Sequence, residues 1–381
     1  MKSEIDIQDS GDTDRLGDLP DHILVHIIEF MDIKQSVQTC VLSKRWEGLW
    51  RKLTNLKFNH SGDRIDIFSK FVSQILSGRD DFLPLHSLEY VHMLQYQDSP
   101  KTTLLEVLKY AASHNVQQLT VFVSLWLIKD LELPPSIFNC QSLTSLKLNF
   151  WCPSSHVSTR KMFPKSLNLP ALKTLHLTFL TFTTSDNGYA EPFSTCNMLS
   201  TLVIIGCYLQ DDTQALCISN SNVSSLTVDN YTYEKAHRYK VVFCTPKLTS
   251  LTMIGRPTFL APSECNLPFL EEGNIDFDFF LNRPYEGLLV INCLQLLANV
   301  KIMTLSFNTL SMLHKVLENN GSMSTQLPCF VRLKSLKVEL FSNSRMCSDI
   351  RVIIGEMVTY LLQNSTHDKV DVDILFKAGL T

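Results

Sequence analysis

The pattern L-x-x-L-x-L, or a version with Val, Met or another apolar residue in a leucine position, starts at ten places in the chain: Leu88, Val116, Leu143, Leu172, Leu199, Val223, Leu248, Leu270, Val300 and Leu333. Successive starts lie 22 to 33 residues apart. A unit of that length cannot bury its own apolar face, so copies must stack and share one elongated core. The repetition also explains the composition: leucine supplies 57 of the 381 residues, while glycine supplies only 13. With 45% hydrophobic and 19% charged residues the chain can bury a large core, which excludes wholesale disorder.

Each copy predicts one short strand and a return segment, with alternate strand residues pointing inward. The expected architecture is α/β: a curved parallel sheet with helical or irregular return segments, an irregular leucine-rich-repeat solenoid of about ten repeats over residues 61–340. The copies at Leu199 and Val300 extend to an eleven-residue consensus with Cys207 and Asn308 at its ninth position. An Asn amide there can bond backbone groups where the chain leaves the strand. The Leu270 copy breaks the pattern, with Gly273 where an apolar residue is expected.

The phase decides which residues face out. If Leu146 and Leu148 point to the core, Lys147 faces outward, and the same phase exposes His176, Val203, Ile205, Thr227 and Ile254. Most outward positions are small and polar. Val203, Ile205 and Ile254 form an apolar patch near the middle of the array, and with Lys147, His176 and Thr227 they are the candidate contact surface.

The ends differ from the array. Residues 1–14 hold Lys2 against Glu4, Asp6, Asp9, Asp12 and Asp14, which accounts for the whole formal charge of -4. They read as an acidic disordered tail without the basic and apolar regions of a secretory signal. From residue 15 to 60, Asp18 is placed to cap a helix with Pro20 in its first turn and Ile23, Leu24, Ile27 and Ile28 at helical spacing. A second run uses Val37, Val41 and Leu42, and Ser43 can cap a third helix presenting Trp46, Leu49 and Trp50. Two further helices, around Ile67 to Leu76 and around Leu104 to Ala111, lead into the array without a free linker. Residues 341–381 read as a capping helix from Ile350 to Leu362 and a strand from Val370 to Phe376.

The segments Leu19-Pro20-Asp21-His22-Ile23-Leu24-Val25-His26-Ile27-Ile28-Glu29-Phe30-Met31 and Val37-Gln38-Thr39-Cys40-Val41-Leu42-Ser43-Lys44-Arg45-Trp46-Glu47-Gly48-Leu49-Trp50 closely resemble the F-box of plant F-box/leucine-rich-repeat proteins. Ile28, Glu29, Met31 and Cys40 depart from the family pattern. The resemblance implies a three-helix F-box docking to a Skp-type adaptor, and through it to a cullin ubiquitin ligase. It assigns the adaptor contact to Leu19, Pro20, Ile23, Leu24 and Ile27, with Val41, Leu42 and Trp46 joining them or bracing the helices. The repeat surface would then hold a target protein for ubiquitination. A hormone-type receptor, whose repeat surface binds a small molecule together with its substrate, is the alternative.

Other chemistry has no motif to carry it. Nothing resembles a P-loop, a dinucleotide fingerprint or a hydrolase elbow, so no catalytic residue is assigned and no cofactor is expected. Eleven cysteines without a C-x-x-C pair suggest reduced thiols rather than a metal site, and place the protein in the cytoplasm or nucleus. A negative chain without a long apolar stretch is expected to bind neither nucleic acid nor membrane.

Overall fold

A computed structural model describes residues 16–61, 64–93, 101–124, 131–151, 161–184, 188–210, 215–230, 239–257, 259–260, 264–265, 267–278, 284–319, 328–341, 348–363 and 370–377. The acidic tail lies outside them. Twelve strands form one parallel sheet in strict chain order: β1 (Asn55–His60), β2 (Ser87–His92), β3 (Gln118–Ser124), β4 (Ser145–Trp151), β5 (Thr174–Thr178), β6 (Thr201–Ile205), β7 (Ser225–Asp229), β8 (Ser250–Gly255), β9 (Glu272–Phe277), β10 (Ile302–Ser306), β11 (Ser335–Phe341) and β12 (Asp371–Lys377). Seven α-helices are present among the described residues: α1 (Asp21–Glu29), α2 (Ile33–Gln38), α3 (Ile65–Gly78), α4 (Lys101–Ser113), α5 (Pro284–Leu296), α6 (Phe307–Asn319) and α7 (Ser348–Leu362).

The alternation read from the sequence is the physical cause of the sheet. Leu119, Leu146, Leu175, Leu202, Leu226 and Leu251 are neighbours in one inward-facing row across six strands, all essentially inaccessible to water. Backbone bonds fix the register just ahead of each strand. The Gln117 carbonyl accepts from the N–H groups of Thr144 and Ser145, Thr144 from Lys173 and Thr174, and Lys173 from Ser200 and Thr201. Every copy is thereby pinned to its predecessor at the same place, so a slip would expose a whole apolar row.

Return segments vary along the array. Helices follow the early and late strands, whereas the middle uses short strands that form two small parallel sheets, one of three strands and one of four. An aromatic stack fills this middle region, with Phe182 edge-on to Phe163 and to Phe193 at centroid distances of 5.6 and 5.7 Å. Tyr231, Tyr233, Phe279 and Phe280 lie outside the described residues. Where β6 ends, Gly206 turns the chain with φ 55°, a left-handed conformation that Phe179 adopts one repeat earlier with φ 57°.

Several sequence readings change. The repeat expected to start at Leu88 starts at Leu85, since Leu88 pairs with Leu119, which occupies the fourth position of its own copy. Residues 55–60, read as the end of the N-terminal unit, form the first strand of the sheet, and Leu53, Leu56 and Phe58 make an additional repeat there. Asn308 sits in the first turn of α6. Its neighbour Thr309 does the bonding, donating to the Ile275 carbonyl at 3.2 Å and accepting from the Phe277 N–H at 3.0 Å. Gly273 is no defect, because Leu297 fills its space: a β-carbon on Gly273 would lie 2.6 Å from Leu297 Cδ2. The terminal strand β12 extends the sheet, and its inward-phase residues Val372, Ile374 and Phe376 stay exposed.

One core residue titrates in an informative range. His92 is fully buried, its ring stacked 5.1 Å from that of His60, and both its nitrogens lack a hydrogen-bond partner. Burial, helped by the neighbouring His60, pushes its pKa from 6.5 down to about 4. The unfolded chain therefore takes up a proton as the pH falls through 6.5, while the folded protein stays neutral until about 4. The stabilising effect is complete above pH 6.5 and is lost progressively below it. Between pH 7 and 5 the wild type should lose about 2 kcal/mol more than His92→Phe, measured as the difference in urea-unfolding free energy. Parallel pH profiles for the two proteins would contradict this origin.

Candidate functional site

Two α-helices and two short 3-10 segments, Thr39–Val41 and Leu49–Lys52, make the N-terminal unit. The third helix expected after Ser43 is absent, because residues 44–48 form turns. Helix α1 starts at Asp21 after Pro20, and Asp18 does not cap it. The capping occurs at α2, where Asp32 accepts the Gln35 N–H at 2.8 Å. The buried Ser36 hydroxyl donates to the Ile28 carbonyl at 2.9 Å and locks the two helices together.

The predicted adaptor residues divide into two groups. Leu24 is 0% exposed and Trp46 6%, so both are core residues. For Leu24 this corrects the expected contact role, because its side chain packs inward under α1; Trp46 takes the bracing role. Val41 and Leu42 are 87% and 60% exposed, and Ile23 is also accessible. Pro20 is exposed, and Leu19 and Ile27 are half-buried at the margin of the core. Sequence reasoning missed Phe30, at 79% exposure, together with the accessible Leu16 and Met31. Exposure of so many apolar side chains in one small unit is the mark of an interaction surface.

Arg45 holds this surface in shape. Its guanidinium donates to the carbonyls of Gly17 and Leu19 and pairs with Asp21, which draws the entry to α1 against the segment that follows Leu42. The hydrogen bond from Arg45 lowers the pKa of the Asp21 carboxyl. Basic Arg45 stands inside the recognised motif, but its three partners are 24 to 28 residues away in sequence, so spacing could not reveal them.

The unit is built onto the array. Glu29, a departure from the family pattern, accepts hydrogen bonds from Thr54 at 2.9 Å and Asn55 at 3.4 Å, and Asn55 in turn accepts from Ser87. Buried Arg79 at the end of α3 donates to the carbonyls of Leu53 and Pro84. Trp50 lies against Gly78, and the two regions share one hydrophobic core.

On the open face of the sheet, Lys147, His176, Val203 and Thr227 are neighbours in one row across β4 to β7. Desolvation, with Lys147 alongside, lowers the pKa of His176. Ile205 and Ile254 occupy the next row, and Asp229 stands between them. The apolar patch is therefore interrupted by a carboxylate. The same row carries a second apolar pair, Val91 beside Phe122, that the leucine count did not reveal. Among the described residues no group of His, Cys, Asp or Glu is placed to hold a metal ion, and no helix is long and apolar enough to cross a membrane.

A small helical unit with exposed apolar side chains is fused to a parallel-stranded repeat array, and both parts match known protein families. Residues 16–58 match the F-box domain, and residues 104–266 match the model described as FBD-associated F-box protein At5g56370, LRR repeats. The chain is similar to F-box protein At1g60400 of Arabidopsis thaliana, with 27% identity over 85% of this chain and 77% of the relative. It is also similar to the putative F-box/FBD/LRR-repeat protein At4g13965 (29% identity, 78% of this chain and 64% of the relative) and to FBD-associated F-box protein At4g10400 (30%, 70% and 62%), both from the same plant. The chain thus carries an F-box domain and a stretch of family repeats, and the relatives it resembles are F-box/FBD/LRR-repeat proteins of a plant.

Proposed function

We propose that the protein is the substrate-recognition adaptor of a Skp-cullin-F-box ubiquitin ligase. The observation that carries the reading is the exposure of Val41 and Leu42 beside a firmly packed Leu24 and Trp46. Apolar side chains held out by a rigid scaffold gain most from being covered by a partner. The Skp-type subunit is the partner that an F-box implies. The repeat face, with Lys147, His176, Val203, Ile205, Thr227 and Ile254, would hold the target protein. The chain then needs no catalytic residue of its own, because fixing a target lysine near a charged conjugating enzyme makes the encounter intramolecular. Such an adaptor would work in the cytoplasm or nucleus.

Two experiments test the two ends. Leu19→Ala/Pro20→Ala protein should recover less than about a tenth of the Skp-type adaptor that wild type recovers on co-purification, a loss of roughly 1.4 kcal/mol or more; equal recovery would remove the docking assignment. Affinity capture with ligase activity inhibited should lose a target when Val203→Asp and Ile254→Asp are introduced together. An unchanged set of partners would rule out the central patch.

A further inference from the structure

A repeat array is closed when its last unit turns a polar or covered face outward. β12 does the opposite. Among the described residues no strand follows it in the twelve-stranded sheet. Its inward-phase residues Val372, Ile374 and Phe376 are all exposed, Phe376 at 60%, and so is Leu375 on the other side. Helix α7 buries Ile354, Met357 and Leu361 but leaves this side of β12 uncovered. The backbone is turned outward as well. Asp371 donates its N–H to the Lys334 carbonyl, on the β11 side, so alternation points the N–H and C=O groups of Val372, Ile374 and Phe376 toward the outer edge. An apolar edge strand of this kind is a template for another strand.

The strand Asp371-Val372-Asp373-Ile374-Leu375-Phe376-Lys377 is complementary to its own reverse. Antiparallel pairing centred on Ile374 sets Ile374 opposite its copy, Val372 opposite Phe376 and Asp371 opposite Lys377. The edge-facing groups of the three apolar residues then all meet partners, about six hydrogen bonds in total, and the apolar side chains pair on one side of the sheet. Charge fixes this register. Sliding by one pleat in one direction puts Asp373 opposite Asp373, and sliding in the other runs Asp371 and Val372 past the end of the partner strand. On β11, Asp371 has Ser335 in register and Lys377 has Phe341, so neither meets an opposite charge in register within its own sheet; Asp373, which falls opposite Leu375 of the copy, has Lys337. The other edge of the sheet offers no equal site, because β1 packs against α2 of the F-box.

We propose that β12 is a homodimer interface, on which a second copy of this chain pairs antiparallel through its own β12. The contact is isologous and closes on itself. It joins two arrays into one continuous sheet with an F-box at each far end and both open faces on the same side. A target carrying two recognition segments would be held by both faces at once, with a gain in avidity.

The test is sedimentation velocity of the full chain, with a thiol reductant present, over a concentration series. A strand-sized contact lies at the small end of specific interfaces, so a monomer–dimer equilibrium with a Kd on the order of 10 μM is expected. Ile374→Asp places two carboxylates across the two-fold axis and should weaken the dimer at least about tenfold, while Tm stays near that of wild type because Ile374 is exposed. Asp371→Lys and Lys377→Asp each set like charges opposite one another, so each alone should stay monomeric where wild type dimerises. Mixed in equal amounts they should form a heterodimer, since each supplies the charge the other lacks. The proposal is overturned by a wild type that is monomeric up to about 200 μM, by open-ended oligomers, by a dimer that survives Ile374→Asp, or by charge variants whose mixture associates no better than either alone.

Discussion

Val41→Asp/Leu42→Asp protein should lose adaptor binding by at least about a hundredfold, some 2.8 kcal/mol, while its Tm stays near that of wild type. Both side chains project into solvent in the free protein, so the changes remove nothing from the core. In the complex each aspartate would be buried against an apolar partner without a counter-charge, which costs several kcal/mol. Leu24→Ala should behave in the opposite way. Leu24 is fully buried, so its truncation should cost roughly 2 to 5 kcal/mol of stability through the cavity left behind, and weaken adaptor binding only through loss of the folded unit. Comparing thermal unfolding and titration for the two variants separates contact from scaffold. Similar Tm losses in both would mean that Val41 and Leu42 also pack internally.

The second large effect is expected at Gly273. Gly273→Val should lower stability by roughly 3 kcal/mol, because the new β-carbon collides with Leu297, itself fully buried and without room to withdraw. Leu297→Ala should cost about as much by leaving a cavity. Combining them returns a filled volume, so Gly273→Val/Leu297→Ala should unfold at a higher temperature than either single variant. Additive losses, measured by calorimetry on all four proteins, would show that the two residues do not share one space.

This pair illustrates what could be read from the chain and what could not. Inward rows, their order and the open-face neighbours Lys147 and His176 follow from a period of two within strands, so local spacing was enough. Gly273 looked like an error in the repeat because the side chain that replaces its own comes from the turn just after α5, 24 residues later. Thr309 for Asn308 is the same lesson: the backbone groups need a partner, but the helix start at Phe307 decides which residue reaches them. In the F-box, a motif of apolar letters could not tell Leu24, which packs inward, from Val41, which does not. That division depends on the short 3-10 segment and the turns after it, which replace the expected third helix.

Hydrogen exchange of the full chain with and without a purified Skp-type adaptor would map the docking surface segment by segment. New protection should appear in the segments containing Leu19 to Ile23 and Val41 to Leu42, with the open-face strands β4 to β8 unchanged. Protection confined to the repeats, or none anywhere at saturating adaptor, would contradict the assignment of this chain as a ligase adaptor.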